Sequence, residues 1–401
     1  MIETSHSQSC QTPLCYMPKL CMISAGIWRL PLPVENVILK KTYTVYRKFV
    51  RVCFPIFLAS LCIQCTLTLL DKNSSKTTEE LFKQLSYFIT LLIVEVATIL
   101  WQRDEVLRLI SFVYEEEEKI FRSGEKIIIQ AHLKQVHFCK NSNWIVLVFT
   151  LFAGSTMILE TYWRRFEVEK YNREHNATLP VPFLFELYCY KFDAEKHAAV
   201  LHYVNDFAAI INGFRIVSTK TIFFSCIMFV PSVLKQLCIR FRKMGTYEDD
   251  IFVILRHLIL EHQEVNRFVK KLNDCVKYLI LMEYLLDSLN VAATSIQFIT
   301  YDRKMLASPI FYISHLFVQT FILAWNANEV KIQSLALADA IYDSPWYKQT
   351  MGVKKSLLTV ILRAQRPLLL TIGPFDAMTT QSGLAIMKAS YSYVTLMMNN
   401  Y

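Results

Sequence analysis

Apolar residues in this chain come in long blocks separated by charged stretches. Three blocks carry no Lys, Arg, Asp or Glu: residues 52–70, 141–159 and 305–328, the last with His315 as its only titratable side chain. A helix crossing the hydrocarbon core of a bilayer takes about 20 such residues. Four more blocks are as long but impure. Residues 81–101 carry Lys83 and Glu95, 198–234 carry Asp206, Arg215 and Lys220, 278–300 carry Glu283 and Asp287, and 379–398 carry Lys388. The pattern predicts seven membrane-spanning helices, the impure four turning their ionisable groups toward protein or water, because such groups seldom face lipid. Lys388 is expected to pair with Glu283 or Asp287. The block 198–234 is too long for one crossing and is expected to project beyond the bilayer.

The segments between the blocks set the orientation. If the seven helices alternate, one side of the membrane holds 28 Lys and Arg and the other 10. The basic side is expected to be cytoplasmic. The two N-x-S/T sequons, at Asn73 and Asn176, both fall on the opposite side, where they are glycosylation candidates. The N-terminus is then cytoplasmic and Tyr401 extracellular, the inverse of a G-protein-coupled receptor. The first 30 residues, interrupted by Pro18 and Lys19, do not read as a signal peptide, so the first span is expected to do the targeting.

Composition agrees. Hydrophobic residues make up 53% and charged residues 19%, against about 25% charged in soluble domains. Only 8 glycines occur in 401 residues, with no GxGxxG or GxxxxGK window, which argues against a nucleotide-binding α/β enzyme. No HExxH, GxSxG or zinc-type cysteine spacing appears, so no enzyme, cofactor or metal site is expected. The net charge of +9 resolves into the loop asymmetry and calls for no nucleic acid. The acidic run Glu115–Glu118 reads as a solvated helix face.

Two basic-side segments are amphipathic. Residues 245–277 and 354–369 both place apolar side chains at i, i+3, i+4 spacing and need a partner surface, within the chain or in an oligomer. The last span is unusual for the opposite reason: Ser390, Tyr391, Ser392, Tyr393 and Thr395 give it a hydroxyl-rich stripe suited to lining water.

The C-terminal quarter resembles the insect odorant receptor family in four stretches: 335–346 (LALADAIYDSPW), 363–369 (RAQRPLL), 372–375 (IGPF) and 387–396 (MKASYSYVTL). The stretch 180–187 (PVPFLFEL) and the topology extend the likeness. The gustatory relatives end the last span differently, and Ser392-Tyr393 followed by Asn399-Asn400 fits the odorant branch better. The resemblance implies an all-α, seven-span subunit of an odorant-gated cation channel in the plasma membrane. Four subunits, including a shared odorant co-receptor, surround one pore. Its implied organisation is a cytoplasmic segment (1–48), spans 1–4 with the odorant pocket (49–234), spans 5–6 with cytoplasmic anchor helices (235–373), and a pore-lining helix (374–401). Leu396 matches the hydrophobic gate, with Tyr393 and Asn400 along the pore. Asn400 replaces an apolar gate residue of the co-receptor, which points to the odorant-tuning subunit. The alternative is an inverted seven-span metabotropic chemoreceptor. The family's pocket lies in the outer half of the bundle and would take a small volatile ligand. Its candidate lining is Phe82, Tyr87, Phe88 and Leu91 on span 2, Gly154, Met157 and Ile158 on span 3, Tyr203, Phe207 and Ile210 on span 4, and Phe311, Tyr312 and His315 on span 6.

Overall fold

The computed structural model describes residues 14–29, 36–70, 78–179, 181–185, 198–244, 251–300 and 306–400. Its helices are α1 (Tyr16–Ser24), α2 (Val37–Leu70), α3 (Thr78–Trp101), α4 (Asp104–Arg122), α5 (Lys126–His175), α6 (Ala198–Arg242), α7 (Ile251–Thr300), α8 (Ala307–Tyr342), α9 (Met351–Ala364) and α10 (Thr380–Asn400). A hairpin of β1 (Thr371–Ile372) and β2 (Asp376–Ala377) precedes α10. The seven apolar blocks fall on α2, α3, α5, α6, α7, α8 and α10, and among the described residues the fold is all-α but for that hairpin.

Three helices outrun the membrane. The α5 and α7 helices have 50 residues each and α6 has 45, and 50 residues reach roughly 75 Å. The amphipathic segment, from Ile251 on, and the fifth apolar block are therefore one continuous helix. Among the described residues, four helices (α3, α5, α6 and α8) are long and apolar enough to cross a membrane by composition alone. The α7 helix carries Glu283, which Lys220 of α6 meets, and Asp287, which accepts a hydrogen bond from Gln319 of α8.

The most apolar of those four, α6, is also the most enclosed, with 83% of its apolar stretch buried. It is the bundle's central post rather than a lipid-facing wall. Its Phe223, Phe224, Phe229 and Phe241 anchor a core at the basic end of the bundle, shared with α1, α4, α7, α8 and α9. There Phe112, Phe229 and Phe268 pack as a ring trio with centroids 5.4–6.1 Å apart.

The acidic run is not a solvated face throughout. Glu116 pairs with Lys119 and Glu118 with Arg122 at the surface, but Glu117 is 2% exposed. Its Oε1 accepts the Leu14 backbone N–H (2.7 Å) and meets His132 Nε2 (3.0 Å). This carboxylate pins the N-terminal segment into the bundle, because a buried N–H needs an acceptor. The terminal carbonyls are used too: Ser225 Oγ donates to Leu14 O (3.2 Å) and Tyr114 Oη to Cys15 O (3.4 Å).

The hairpin is fixed against α7. Thr371 N donates to Asn273 Oδ1 (2.8 Å) and Gly373 N to Lys277 O (2.9 Å). Gly373 has φ +57°, and a Cβ there would lie 2.8 Å from Leu281 Cδ2. Only glycine meets both conditions without strain. The chain then enters α10, whose Gly383 lies so close to α8 that a Cβ would come within 2.7 Å of Ala324 Cβ. Small residues allow this backbone approach between membrane helices.

Candidate ligand-binding cavity

In the half of the bundle remote from that core, four long helices leave a cavity of about 120 Å³. The α5 helix presents Thr150, Ala153, Gly154 and Met157, a stripe at helical spacing. The α6 helix presents Ala209, Asn212, Gly213 and Ile216 on the same rhythm. Tyr87, Thr90, Leu91 and Val94 come from α3, and Tyr312, His315 and Gln319 from α8. Leu184 and Phe185, from the connection ahead of α6, complete the lining. Phe185 packs edge-on against Tyr87 (5.5 Å) and Phe57 (5.4 Å), and its N–H is held by Asn205 Oδ1 (3.0 Å).

The polar groups around this apolar space are mostly spoken for. Thr90 Oγ1 and Tyr312 Oη share a hydrogen bond of 2.9 Å. Asn290 Nδ2 donates to Thr90 Oγ1 (3.1 Å), and Ser86 Oγ donates to Asn290 Oδ1 (2.9 Å). His315 Nδ1 lies 3.5 Å from Thr150 Oγ1, an interhelical contact. At the floor, Lys220 Nζ meets Glu283 Oε2 at 2.6 Å, and Gln319 Nε2 donates to Asp287 Oδ2 (3.4 Å). Both amide atoms of Asn212 and Gln319 Oε1 are buried and have no partner. An unmet buried polar group costs about 1–3 kcal/mol. These three atoms are therefore positions where a ligand with one hydrogen-bonding group gains most.

The structure brings together six of the residues singled out in the sequence: Tyr87, Leu91, Gly154, Met157, Tyr312 and His315. Phe88 and Ile158 pack behind the wall in a satellite cluster with Phe54 and Leu61. Phe311 turns to α5 and stacks edge-on against Phe152 at 4.5 Å. The choice on α6 is corrected: Tyr203, Phe207 and Ile210 are 74%, 57% and 54% exposed. Tight packing of α6 against α5 and α8 turns its small and polar face inward, leaving those bulky side chains outside. The stripe Ala209, Asn212, Gly213, Ile216, Lys220 carried that signal in its spacing, but it holds no aromatic residue. The Lys388 pairing is also corrected. Glu283 is already matched by Lys220 from α6, and Lys388 is exposed on α10. The side chains of Phe82, Tyr393, Leu396 and Asn400, and all of Asn73, lie outside the described residues. Asn176 is exposed at the left-handed cap of α5, with φ 50°.

Comparison with known proteins gives a consistent result. A family profile described as 7tm Odorant receptor matches residues 77–391. Odorant receptor 10 of Aedes albopictus is 34% identical over 162 residues, 39% of this chain and 43% of that protein. Odorant receptor Or2 of Anopheles gambiae is 33% identical over 154 residues, 38% of this chain and 40% of that protein. The matched stretch thus spans less than half the length of either relative. Among solved structures, the insect olfactory receptor OR5 of Machilis hrabei has the same fold, with TM-score 0.80 at 16% identity over 99% of both chains. The same receptor in complex with eugenol gives TM-score 0.78 at 17% identity, over 96% of this chain and 97% of that one.

Proposed function

The chain belongs to the 7tm odorant receptor family, and from that premise we propose that it is the odorant-tuning subunit of an odorant-gated, non-selective cation channel. It takes a small volatile ligand into the cavity between α3, α5, α6 and α8 and opens a pore shared, as a tetramer, with the odorant co-receptor in the plasma membrane.

The observation that carries this reading is an apolar cavity with buried amide atoms that lack partners. A ligand hiding roughly 200 Å² of apolar surface gains about 5 kcal/mol, and one new hydrogen bond adds about 1 kcal/mol. Shape then dominates selection, and the amides tune it. At about 120 Å³ the space is below the roughly 300–1,000 Å³ of drug-sized sites. It suits a small volatile, or opens around a larger one.

Coupling to a pore follows from α8. Tyr312, His315 and Gln319 face the ligand space, and Ala324, just over one turn further on, meets Gly383 of α10. Displacing α8 at the cavity therefore presses directly on the last helix. The exposed stripe of α10 includes Gln381, Lys388, Ser392 and Thr395, which supports a water-facing role. At the basic end, Phe252 of α7 and Leu358 and Leu362 of α9 are more than half exposed. An exposed apolar patch of that kind supports a subunit interface.

The test is expression with and without a co-receptor, followed by a volatile panel read as current. Ligand-gated cation current that needs both chains and persists in excised, nucleotide-free patches is expected. Responses that vanish on blocking G proteins and need no co-receptor would overturn the reading in favour of the metabotropic alternative.

A further inference from the structure

A second cavity, of about 610 Å³, lies further along α3, from Glu95 to its end, where the ligand space is lined by Tyr87–Val94. Its walls are the turn after α1, the stretch of α2 around Arg51, the end of α3, the start of α4 and Arg215 of α6. Its depth is set by the chain. Arg51 is the last charge before the uncharged stretch 52–70, and α3 ends at Trp101 just before Gln102, Arg103, Asp104 and Glu105. Both helices pass from charged to apolar sequence at this level, which is where lipid headgroups sit. By the Lys/Arg count this is the cytoplasmic face.

Five arginines and three acids line the space. Arg29 Nη1 donates to Gln102 O (2.5 Å) and ties the α1 turn to α3. Arg51, Arg103 and Arg108 are exposed and make no ion pair among the described residues. Arg215 is the built element of the site. It is 2% exposed, its guanidinium stacks 3.5 Å above the Phe54 ring, and one nitrogen is bound by Glu95. Its Nε and Nη1 have no partner. Glu95 is thus used, which leaves Asp104 and Glu105 as the acids still open.

The flank is apolar. Ile99, which lines the cavity, is 55% exposed, and Val52 and Ile56, on α2 next to Arg51, are 59% and 63% exposed. A soluble anion has no use for that flank, whereas acyl chains do. The charges narrow the headgroup further. A net excess of arginine calls for a net-negative group, and the two open carboxylates call for a cation on the same molecule.

We propose that this cavity binds an anionic aminophospholipid of the phosphatidylserine type. The phosphate and carboxylate lie among the arginines, the ammonium against Asp104 and Glu105, and the acyl chains along Val52, Ile56 and Ile99. The proposal rests on the membrane orientation and is independent of the odorant reading. A bound lipid would tie α2 to the α3–α4 corner and brace the basic end of the bundle, where α10 begins.

The test uses the purified full-length chain in nanodiscs of phosphatidylcholine, with or without phosphatidylserine. Readouts are lipid retained per chain by native mass spectrometry and the unfolding midpoint. Phosphatidylserine is expected to be retained and to raise the midpoint. In R51Q/R108Q, whose side chains are exposed and do not support the core, retention should fall about thirtyfold, the loss expected for two basic residues at a lipid surface. The control K354Q/K355Q removes equal charge from α9 and should keep both effects. Equal losses in both variants would overturn the proposal as general surface attraction. Soluble phosphoserine matching the lipid's stabilisation would overturn it in favour of a free anion.

Discussion

Asn212 shows how a single side chain carries information that hydrophobicity does not. Its amide lies on the cavity wall with both polar atoms buried and unpaired. Replacing it with leucine keeps the volume and removes the hydrogen bond. Asn212→Leu is therefore expected to raise the half-maximal concentration about tenfold for ligands that bear an N–H or hydroxyl group, the worth of one such bond. Equally sized ligands without a polar group should be unaffected. Dose–response currents at matched surface expression check this. His262, on the basic-end half of α7, makes a different statement. Burial, with a smaller contribution from the Arg363 charge, pushes its pKa down from 6.5 to about 4. The fold therefore holds the neutral ring, and the unfolded chain takes the proton first. Stability is full above pH 6.5 and falls as the pH drops toward 4, by about 3 kcal/mol in total. His262→Gln should flatten that part of a denaturation-midpoint profile against pH.

Elements are where local rules and packing meet. The hairpin 371–377 reads from its sequence only as a Gly-Pro turn. Its importance comes from Asn273, Lys277 and Leu281 of α7, which hold it from a hundred residues away. Gly373→Ala is expected to destabilise the chain by about 1–3 kcal/mol, through the positive φ and the Leu281 overlap together. Trimming Leu281 to alanine in that background should recover the overlap part, read by thermal unfolding. The α9 helix buries Val353, Leu357 and Val360 but leaves Leu358 and Leu362 exposed. The double change Leu358→Glu and Leu362→Glu should leave the monomer folded and lower the assembled fraction on size-exclusion chromatography. An unchanged elution would remove α9 from the subunit interface. The α6 helix carries the lesson of rotation. Its aromatic residues Tyr203 and Phe207 are conspicuous in the sequence, yet small neighbours decide which face turns inward, because close helix packing selects for them.

At the scale of the whole molecule, the orientation expected from the Lys/Arg count would put the end of α5 outside the cell. Asn176 is exposed there, in a sequon followed by exposed Thr178. Thr178→Ala is expected to remove one glycan's worth of mass on a gel after expression in cells. No change, with the wild type also unmodified, would count against that orientation. Two coupled halves make up the bundle: a ring-packed core at the basic end and a cavity at the other, joined by α6, α7 and α8 running through both. Length and hydropathy made the seven helices legible, since a bilayer imposes a minimum apolar length that can be counted residue by residue. The motifs near the C-terminus pointed to the family for the same reason: each is local. About half of the candidate lining was legible as well, on α3, α5 and α8, where aromatic or flexible residues happen to face inward. Pairing was not. That Glu117 is buried against Leu14 and His132, that Lys220 rather than Lys388 meets Glu283, and that α6 shows Asn212 rather than Phe207 to the cavity all depend on how helices rotate and which charges approach one another. A helix is indifferent to its own rotation until neighbours pack against it, so those choices are made by tertiary contact alone.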